Sequence, residues 1–477
     1  MSRLRQLIAR QPIARQQAPT AGPTLRRALG WPGLTAIGLG TMLGGIFPTI
    51  GAGAHVAGPA VILAYLFSGL VSLCVALCYA EFASMVPIAG SAYTYAYATL
   101  GELAAWIIGW DLILEYGLSV APTASSLSDY AQHLLARVGI ALPLWARHAD
   151  VFAAHPTLGS LFRLHVHVDA IAAFVTLGIA VLVAIGIRES ARVNGTLVIF
   201  QVLALLLFLA IALPAVHPAN LTPFAPHGWH GIVTGTALVF YAYIGFDTVT
   251  VASEEAKDPH RHVPLAILLA LAIGAGLYVA IAYATVGVMP YARLSDGAAM
   301  LDALSAVSHN GWFYALIALG GVAGNATVML TSLLGQIRIF YVMARDRMLP
   351  PGVATIHPIF RTPARMTLIT GAVVAVLAAI LPLADLLDFV NIGTLSAFAI
   401  VCAGVLVLRI VEPDAPRPFR APLAPLFTVL GSLGCIYLIS GLSLPTWLRF
   451  VAWFCIGMAL YFLYGFHRSL LRKVENS

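Results

Sequence analysis

The chain has 477 residues; 60% of them are hydrophobic, 10% are charged, and the formal net charge is +6. Soluble domains carry about 25% charged residues, so a water-soluble fold of this size could not cover its apolar surface with so few charges. The composition therefore excludes a soluble enzyme and a disordered scaffold. It also excludes a nucleic-acid-binding protein, because the basic residues lie between apolar runs and not in one patch.

The first 30 residues carry six arginines and no acidic residue. They lack the apolar core of a signal peptide. We therefore predict a basic cytoplasmic tail that lies beside the anionic inner leaflet of a membrane.

Twelve stretches have the roughly 20 mostly apolar residues that a membrane span needs. They lie near residues 33–54, 58–80, 98–134, 168–187, 194–215, 230–252, 263–288, 311–342, 366–382, 386–409, 421–441 and 446–466. The sequence thus predicts an all-α integral membrane protein with 12 transmembrane helices.

The distribution of Lys and Arg predicts the orientation. With a cytoplasmic N-terminus, 21 of the 26 basic residues fall on the inner side. The five on the outer side are Arg137, Arg147, Arg163, Arg293 and Arg449. This split follows the positive-inside rule, so we expect a multi-pass protein of the inner or plasma membrane with both termini in the cytoplasm.

All five cysteines lie inside the apolar stretches, at Cys74, Cys78, Cys402, Cys435 and Cys455. They form no CxxC pair, and their spacing is wrong for a disulfide framework, so we predict five small buried hydrophobic residues. The chain has no GxxxxGK[ST] loop and no metal-ligand spacing. We expect no cofactor and no metal.

Glycines crowd one depth of the first span: Gly38, Gly40, Gly44 and Gly45, followed by Pro48. One interpretation is close helix packing, because Gly40 and Gly44 form a small-xxx-small pattern. The other is an unwound stretch, because glycine lowers helix stability. Unwound N–H and C=O groups need partners inside a membrane, and a bound zwitterion would supply them.

The sixth span has a matching feature, with Gly245 next to the charged Asp247. Intramembrane carboxylates are costly and usually functional; Asp247 could instead cap the half-helix that follows it. The first and sixth spans open two five-helix halves of opposite topology. Inverted repeats with one discontinuous helix each are typical of secondary transporters with a site at the membrane midplane.

At these residues the chain resembles the amino acid–polyamine–organocation superfamily, especially its bacterial branch related to cationic amino acid transporters. The resemblance rests on residues 38–47 (GLGTMLGGIF), 78–95 (CYAEFASMVPIAGSAYTY), 109–116 (GWDLILEY), 241–247 (YAYIGFD) with Glu254, Glu255 and Pro259, and 335–346 (GQIRIFYVMARD). It implies amino acid transport by alternating access. It also implies the LeuT-type fold, a 5+5 inverted repeat plus two C-terminal helices.

That resemblance divides the chain into four parts. We expect an N-terminal tail at 1–30, a transporter core at 31–410 with repeats at about 31–216 and 229–410, two additional helices at 411–466, and a cytoplasmic C-terminal tail at 467–477.

The same resemblance implies a substrate pose. The N–H groups of Gly44 and Gly45 would face the substrate carboxylate at a positive helix end. Carbonyl groups near the two breaks would accept hydrogen bonds from the substrate ammonium. The expected substrate-binding residues are Gly40, Thr41, Met42, Leu43, Gly44, Gly45, Tyr241, Ala242, Ile244 and Gly245; Tyr241 is also a candidate outer gate.

The chain departs from the family pattern in two places. The pair Gly44–Gly45 is one residue short of the usual glycine loop, which would rotate one half-helix by about 100°. Gln201 stands where proton-coupled relatives carry a lysine, and an amide cannot titrate. The protein is then an exchanger or facilitator, or it couples protons through a carboxylate.

Further polar residues in the spans are candidates for gating or coupling. Asp111 and Glu115, four residues apart, could hold a proton or pair with a cationic substrate; neighbouring hydroxyls could equally hold them for structure. Thr327 matches a hydroxyl near the cation site of the family. The candidates are Glu115, Asp111, Gln201, Asp247 and Thr327. For Glu81 we expect a structural pairing with arginines.

We therefore predict a secondary transporter, not an enzyme, that moves amino acids across the bilayer, with a coupled proton or counter-substrate as a possible partner. The alternatives are a membrane sensor that binds amino acids without net transport and a polyamine or organocation exchanger.

Overall fold

The computed structural model describes residues 29–86, 91–140, 142–147, 168–186, 190–360 and 362–469. Residues 1–28 and 470–477 lie outside this part of the chain, and with them most of the two predicted cytoplasmic tails. The regular structure of the described residues is helical. One isolated parallel bridge joins Leu29 to Ala256.

The helices are numbered in chain order. They are α1 Trp31–Leu43, α2 Ile46–Ala57, α3 Val61–Met85, α4 Ser91–Thr99, α5 Glu102–Leu118, α6 Val120–Arg137, α7 Ala170–Ile185, α8 Ser190–Ala212, α9 Gly228–Val239, α10 Thr248–Val251, α11 Pro259–Val288, α12 Ala299–Val307, α13 Gly311–Arg345, α14 Ala364–Ile380, α15 Leu383–Val411, α16 Ala424–Ser440, α17 Leu444–Leu460 and α18 Phe466–Arg468.

Each of the twelve predicted apolar stretches contains helix. Within the described residues, eight helical segments are long and apolar enough to cross a membrane, and three shorter apolar helices, α7, α14 and α16, accompany them. Consecutive helices share some of these segments, because α2 runs into α3 and α5 into α6 with hardly a break.

Large apolar side chains cover the outside of the helix bundle. Phe174 on α7 is 78% exposed, and Leu433 on α16 is 58% exposed. Such a surface needs an apolar solvent. The outward faces of α7, α14, α16 and α17 are therefore suited to lipid.

The cysteine prediction is confirmed at four positions and wrong at the fifth. Cys74, Cys78, Cys402 and Cys435 are buried, whereas Cys455 is exposed. Cys455 lies on α17, whose only buried residues are Thr446 and Gly457. An apolar pattern cannot distinguish contact with protein from contact with lipid.

The expected pairing of Glu81 is confirmed. Its carboxylate accepts two hydrogen bonds from Arg409, of 2.9 and 2.5 Å, and a third from the Ala421 N–H at 2.9 Å. The Arg417 Nε lies 3.4 Å away. Because Glu81 ends α3, Arg409 ends α15 and Ala421 precedes α16, one buried carboxylate ties three helix ends together.

Replacing Glu81 by Gln keeps the side-chain shape and leaves both guanidinium groups without their counter-charge. We expect the free energy of unfolding to fall by about 3 kcal/mol, the lower end of the range for breaking a buried pair, since Arg409 is 26% exposed. The measurement is thermal unfolding of the purified protein in detergent.

The control for that variant is Asp385→Asn. It breaks the pair of Asp385 with Arg449, in which the two side chains are 30% and 31% exposed. Exposed pairs contribute about 0–1 kcal/mol. Equal losses in the two variants would contradict the tying role of Glu81.

Candidate functional site

Helix α1 is interrupted at Gly44 and Gly45, and α2 begins at Ile46. The interruption is tighter than the unwound stretch that the sequence suggests. Gly44 and Gly45 keep right-handed helical dihedral angles. The Gly45 N–H donates to the Met42 carbonyl at 2.8 Å, so this N–H is occupied by the chain's own backbone in this structure.

The glycines at this break are required by close contacts. A Cβ on Gly44 would lie 2.6 Å from the Gly324 carbonyl oxygen of α13 and 2.3 Å from Cγ2 of Val328. A Cβ on Gly45 would lie 2.7 Å from Cα of Ala242. The first break therefore touches α13 on one side and the second break on the other.

The second break follows α9. It begins with a short 3₁₀ segment, Phe240–Tyr243, which directly follows α9, and it ends where α10 starts at Thr248. Gly245 has φ +122°, a conformation that only glycine adopts readily. A Cβ there would lie 2.8 Å from Cγ2 of Thr41, so the two breaks pack directly on each other.

A small cavity of about 10 Å³ lies between the breaks, α5, α6 and α13, with room for roughly one water molecule. Its lining residues are Thr41, Gly45, Glu115, Tyr116, Ser119, Tyr241, Ile244, Gly245, Thr248, Val328 and Ser332. The expected site residues Gly40, Met42, Leu43, Gly44 and Ala242 lie beside this cavity or behind it rather than in its wall. Gly40 instead faces Val198 of α8, which a Cβ would approach to 2.4 Å.

Two tyrosines connect this cavity to its neighbours. The Tyr241 hydroxyl donates to the Ser119 carbonyl at 2.6 Å, where α5 gives way to α6. The Tyr116 hydroxyl donates to Oδ2 of Asp247 at 2.6 Å. Asp247 is the N-cap residue of α10, and its side chain bonds Tyr116 instead of making a capping hydrogen bond to that helix.

Three carboxyl groups are buried near the cavity. Glu115 lines it, and Asp111 and Asp247 lie within electrostatic range of Glu115. Within the described residues, neither oxygen of Glu115 or Asp111 has a hydrogen-bond partner. The Thr394 hydroxyl lies beside Glu115 but donates to the Val390 carbonyl at 3.1 Å. Unpartnered buried carboxyl groups are costly, which marks the pair as candidates for binding or proton transfer.

Gln201 and Thr327 lie next to the first break and outside the cavity wall. A Cβ on Gly324 would lie 3.0 Å from the amide carbon of Gln201. Gln201 is fully buried, and its two amide atoms have no partner in the described part of the chain. The Thr327 hydroxyl donates within its own helix, to the Ala323 carbonyl at 2.9 Å.

A second cavity, of about 610 Å³, opens between α1, α8, α10 and α13. It shares Thr41, Tyr116 and Thr248 with the small cavity. Arg338 lies in its wall and donates to the Val251 carbonyl at 3.2 Å. The small cavity is therefore approached from the end of the molecule that carries Arg338.

The opposite end is covered by α12 and the loop before it. His55 of α2 pairs with Asp296 at 2.7 Å, and His133 of α6 lies 3.5 Å from Asp302. Burial alone would raise the pKa of Asp302, but hydrogen bonds from His133 and the Ser295 N–H outweigh it and lower that pKa. Asp302 is then ionised at neutral pH and holds α12 in place.

Sequence reasoning missed Tyr278 of α11. Its hydroxyl lies 2.5 Å from the Met42 carbonyl oxygen and 2.7 Å from the Ala242 carbonyl oxygen. The residue is fully buried. No local pattern marks it, because a tyrosine in an apolar helix resembles any other core aromatic residue.

Known proteins resemble this chain along nearly its whole length. An amino acid permease family model matches residues 29–463. The chain is 41% identical to the branched-chain amino acid permease BcaP of Bacillus subtilis over 458 residues, 96% of this chain and 97% of that protein. It is 39% identical to the methylthioribose transporter of the same organism, over 98% and 99% of the two chains. It is 35% identical to human cationic amino acid transporter 4, over 84% of this chain and 63% of the human protein.

Substitution of Gly44 by Ala tests the close approach at the first break. The added methyl group meets the Gly324 backbone, which cannot rotate away. Overpacking of this kind costs about 1–3 kcal/mol. We therefore expect a lower midpoint temperature of thermal unfolding and at least a tenfold slower uptake of the transported substrate into proteoliposomes. The control is Gly276→Ala on α11, where a Cβ meets nothing within 4 Å. Unimpaired uptake by Gly44→Ala would contradict the contact.

Proposed function

The chain belongs to the amino acid permease family of the amino acid–polyamine–organocation superfamily, and we propose that it transports amino acids by alternating access, with the substrate held between the two helix breaks. It is a transporter and not an enzyme. One observation carries the site proposal: Gly45 and Gly245, from helices far apart in sequence, line a single buried cavity.

The proposed architecture is the LeuT-type 5+5 inverted repeat plus two helices, with twelve crossings. Four of the five helix pairs that such a repeat would relate pack on one another: α1 on α10, α3 on α11, α6 on α13, and α7 on α14. The proposed core is 31–410, with repeats at about 31–216 and 229–410, followed by two helices at 411–466. The split of Lys and Arg supports cytoplasmic termini in an inner or plasma membrane.

In the proposed pose the substrate carboxylate lies at the N-terminal end of α2, where the helix dipole and free N–H groups favour an anion. For the Gly45 N–H to take part, it must leave the Met42 carbonyl. The substrate ammonium lies toward the carbonyl groups of Tyr241, Ala242 and Ile244. These contacts recognise any α-amino acid and leave its side chain free.

We propose a neutral aliphatic amino acid such as leucine as the substrate. Ile244 and Val328 supply apolar wall to the cavity, and the relatives named branched-chain amino acid permease support this choice. Glu115 favours a second candidate, a cationic amino acid or polyamine, because its carboxyl group lies in the same wall without a partner. The name of the methylthioribose transporter adds a thioether sugar to the substrates worth testing.

The structure corresponds to an inward-facing state in this proposal. The 610 Å³ cavity leads from the Arg338 end to Thr41, and the positive-inside rule places that end in the cytoplasm. The pairs His55–Asp296 and His133–Asp302 close the outer end. The cavity proposed for the substrate has a volume of about 10 Å³ in this state.

Flux into proteoliposomes tests the function. With unlabelled L-leucine trapped inside, we expect labelled L-leucine to enter by counterflow at rates at least tenfold above empty liposomes. L-Arginine, putrescine and methylthioribose are run in parallel. A sensor would bind without moving label, so protection from thermal unfolding by leucine without counterflow would refute transport.

Replacement of Glu115 by Gln tests proton coupling. If Glu115 carries the proton, the variant loses accumulation driven by an imposed pH gradient and keeps leucine counterflow within about threefold. Asp111→Asn, one turn away and outside the cavity wall, is the comparison and should keep both. Accumulation that is unaffected by Glu115→Gln would refute Glu115 as the proton carrier. If a pH gradient drives no accumulation in the parent protein, exchange or facilitated diffusion is left as the mechanism.

A further inference from the structure

Met42 and Ala242 lie at the two helix breaks, and their carbonyl groups converge on one side chain. The Tyr278 hydroxyl oxygen is 2.5 Å from the first carbonyl oxygen and 2.7 Å from the second. Tyr278 belongs to α11, which is part of neither broken helix. Tyr278 therefore contacts both breaks from a third helix.

The position of that hydroxyl is fixed from behind. The Tyr278 ring packs edge-on against Tyr243 at 5.2 Å and at an angle against Tyr65 at 5.7 Å. The Tyr243 hydroxyl donates to the Tyr65 carbonyl at 2.7 Å, and the Tyr65 hydroxyl lies 2.8 Å from that of Thr49 on α2. The three buried side chains of Tyr243, Tyr65 and Thr49 thus support the Tyr278 ring from behind.

The oxygen atoms around the Tyr278 hydroxyl can accept more hydrogen bonds than the neighbouring O–H and N–H groups can donate. A tyrosine hydroxyl donates a single hydrogen bond, whereas Met42 and Ala242 each present a carbonyl oxygen within hydrogen-bond distance. The Met42 carbonyl also accepts from the Gly45 N–H at 2.8 Å. The carbonyl oxygens of Met42 and Ala242 and the hydroxyl oxygen of Tyr278 therefore lie together beside Gly45. They share two donors, the Tyr278 O–H and the Gly45 N–H, which makes this region electron-rich.

We propose that Tyr278 is the positioning residue of the substrate site: by holding the Met42 and Ala242 carbonyl groups outside the cavity wall, it sets the distance between the two breaks, so that the carbonyl groups of Tyr241 and Ile244 in the wall form a preorganised acceptor for the substrate ammonium. This inference rests on the proposed function and adds a residue that the wall of the cavity does not contain. In transporters with broken helices, unwound carbonyl groups commonly coordinate a cation. Here a neutral hydroxyl bridges two of them, and the carbonyl groups of Tyr241 and Ile244 are left to the substrate.

Tyr278→Phe removes the hydroxyl and keeps the ring. We expect the half-saturation concentration for L-leucine counterflow to rise at least tenfold while the maximal rate stays within about threefold. Tyr461→Phe is the control, since it removes another fully buried tyrosine hydroxyl, one that donates to Glu102 at the start of α5 at 3.1 Å rather than to a residue of either break. It should change either parameter by less than threefold.

An analogue without the amino group separates positioning from general damage. With 4-methylpentanoate as competitor, the inhibition constant should be the same within twofold in the parent and in Tyr278→Phe, because only the ammonium uses the positioned carbonyl groups. A parallel loss for leucine and 4-methylpentanoate would overturn the proposal in favour of a purely structural role.

A second measurement needs no substrate. Amide hydrogen exchange should accelerate in Tyr278→Phe in peptides from both breaks, around residues 39–47 and 239–248, and in neither for Tyr461→Phe. Acceleration at one break alone, or at none, would refute the bridge. If the parent protein transports no leucine, the proposed substrate fails, and the exchange data still decide the role of Tyr278.

Discussion

The site depends on one close approach, the contact of main chain with main chain where Gly45 meets Ala242. The two segments can come this near only because Gly45 carries no side chain, since a Cβ there would lie 2.7 Å from Cα of Ala242. The same constraint explains Gly245, which lies against Thr41, and Gly44, which lies against α13. Because the backbones touch, their unpaired peptide groups face a common small volume rather than lipid. The energetic cost of breaking a helix inside a membrane is thereby concentrated at one place, where a polar ligand can offset it.

That volume is bordered by groups of opposite character. Glu115, Ser119 and Thr248 supply polar groups to its wall, and Val328 and Ile244 supply apolar side chains. A zwitterion with an aliphatic side chain matches this division. The Tyr116 hydroxyl donates a hydrogen bond to the Asp247 carboxylate at 2.6 Å. Glu115 accepts no such hydrogen bond in the described part of the chain. The two acids are therefore not equivalent.

Much of the fold follows from the sequence because lipid imposes a length and an apolar composition on every crossing helix. For the same reason the glycine clusters at residues 38–45 and at Gly245 indicate where the helices are interrupted. The sequence overstates how far the first helix unwinds, since a Gly45 to Met42 hydrogen bond closes the gap locally. It also misses Tyr278 and Ser119, whose roles come from partners 36 to 236 residues away in the chain. It fails at Cys455 because lipid and protein are equally apolar neighbours.

The bridge between Leu29 and Ala256 has a mechanical consequence. The Leu29 N–H donates to the Glu255 carbonyl, and the Lys257 N–H donates to the Leu29 carbonyl, both at 2.9 Å. These two hydrogen bonds join the segment before α1 to the segment after α10. Both segments flank the mouth of the 610 Å³ cavity, whose wall includes Leu29 and Glu255. Because they are linked in this way, we expect α1 and α10 to move together as one rigid body that turns about the two breaks. The width of the mouth is then governed by one rigid-body rotation rather than by two independent ones.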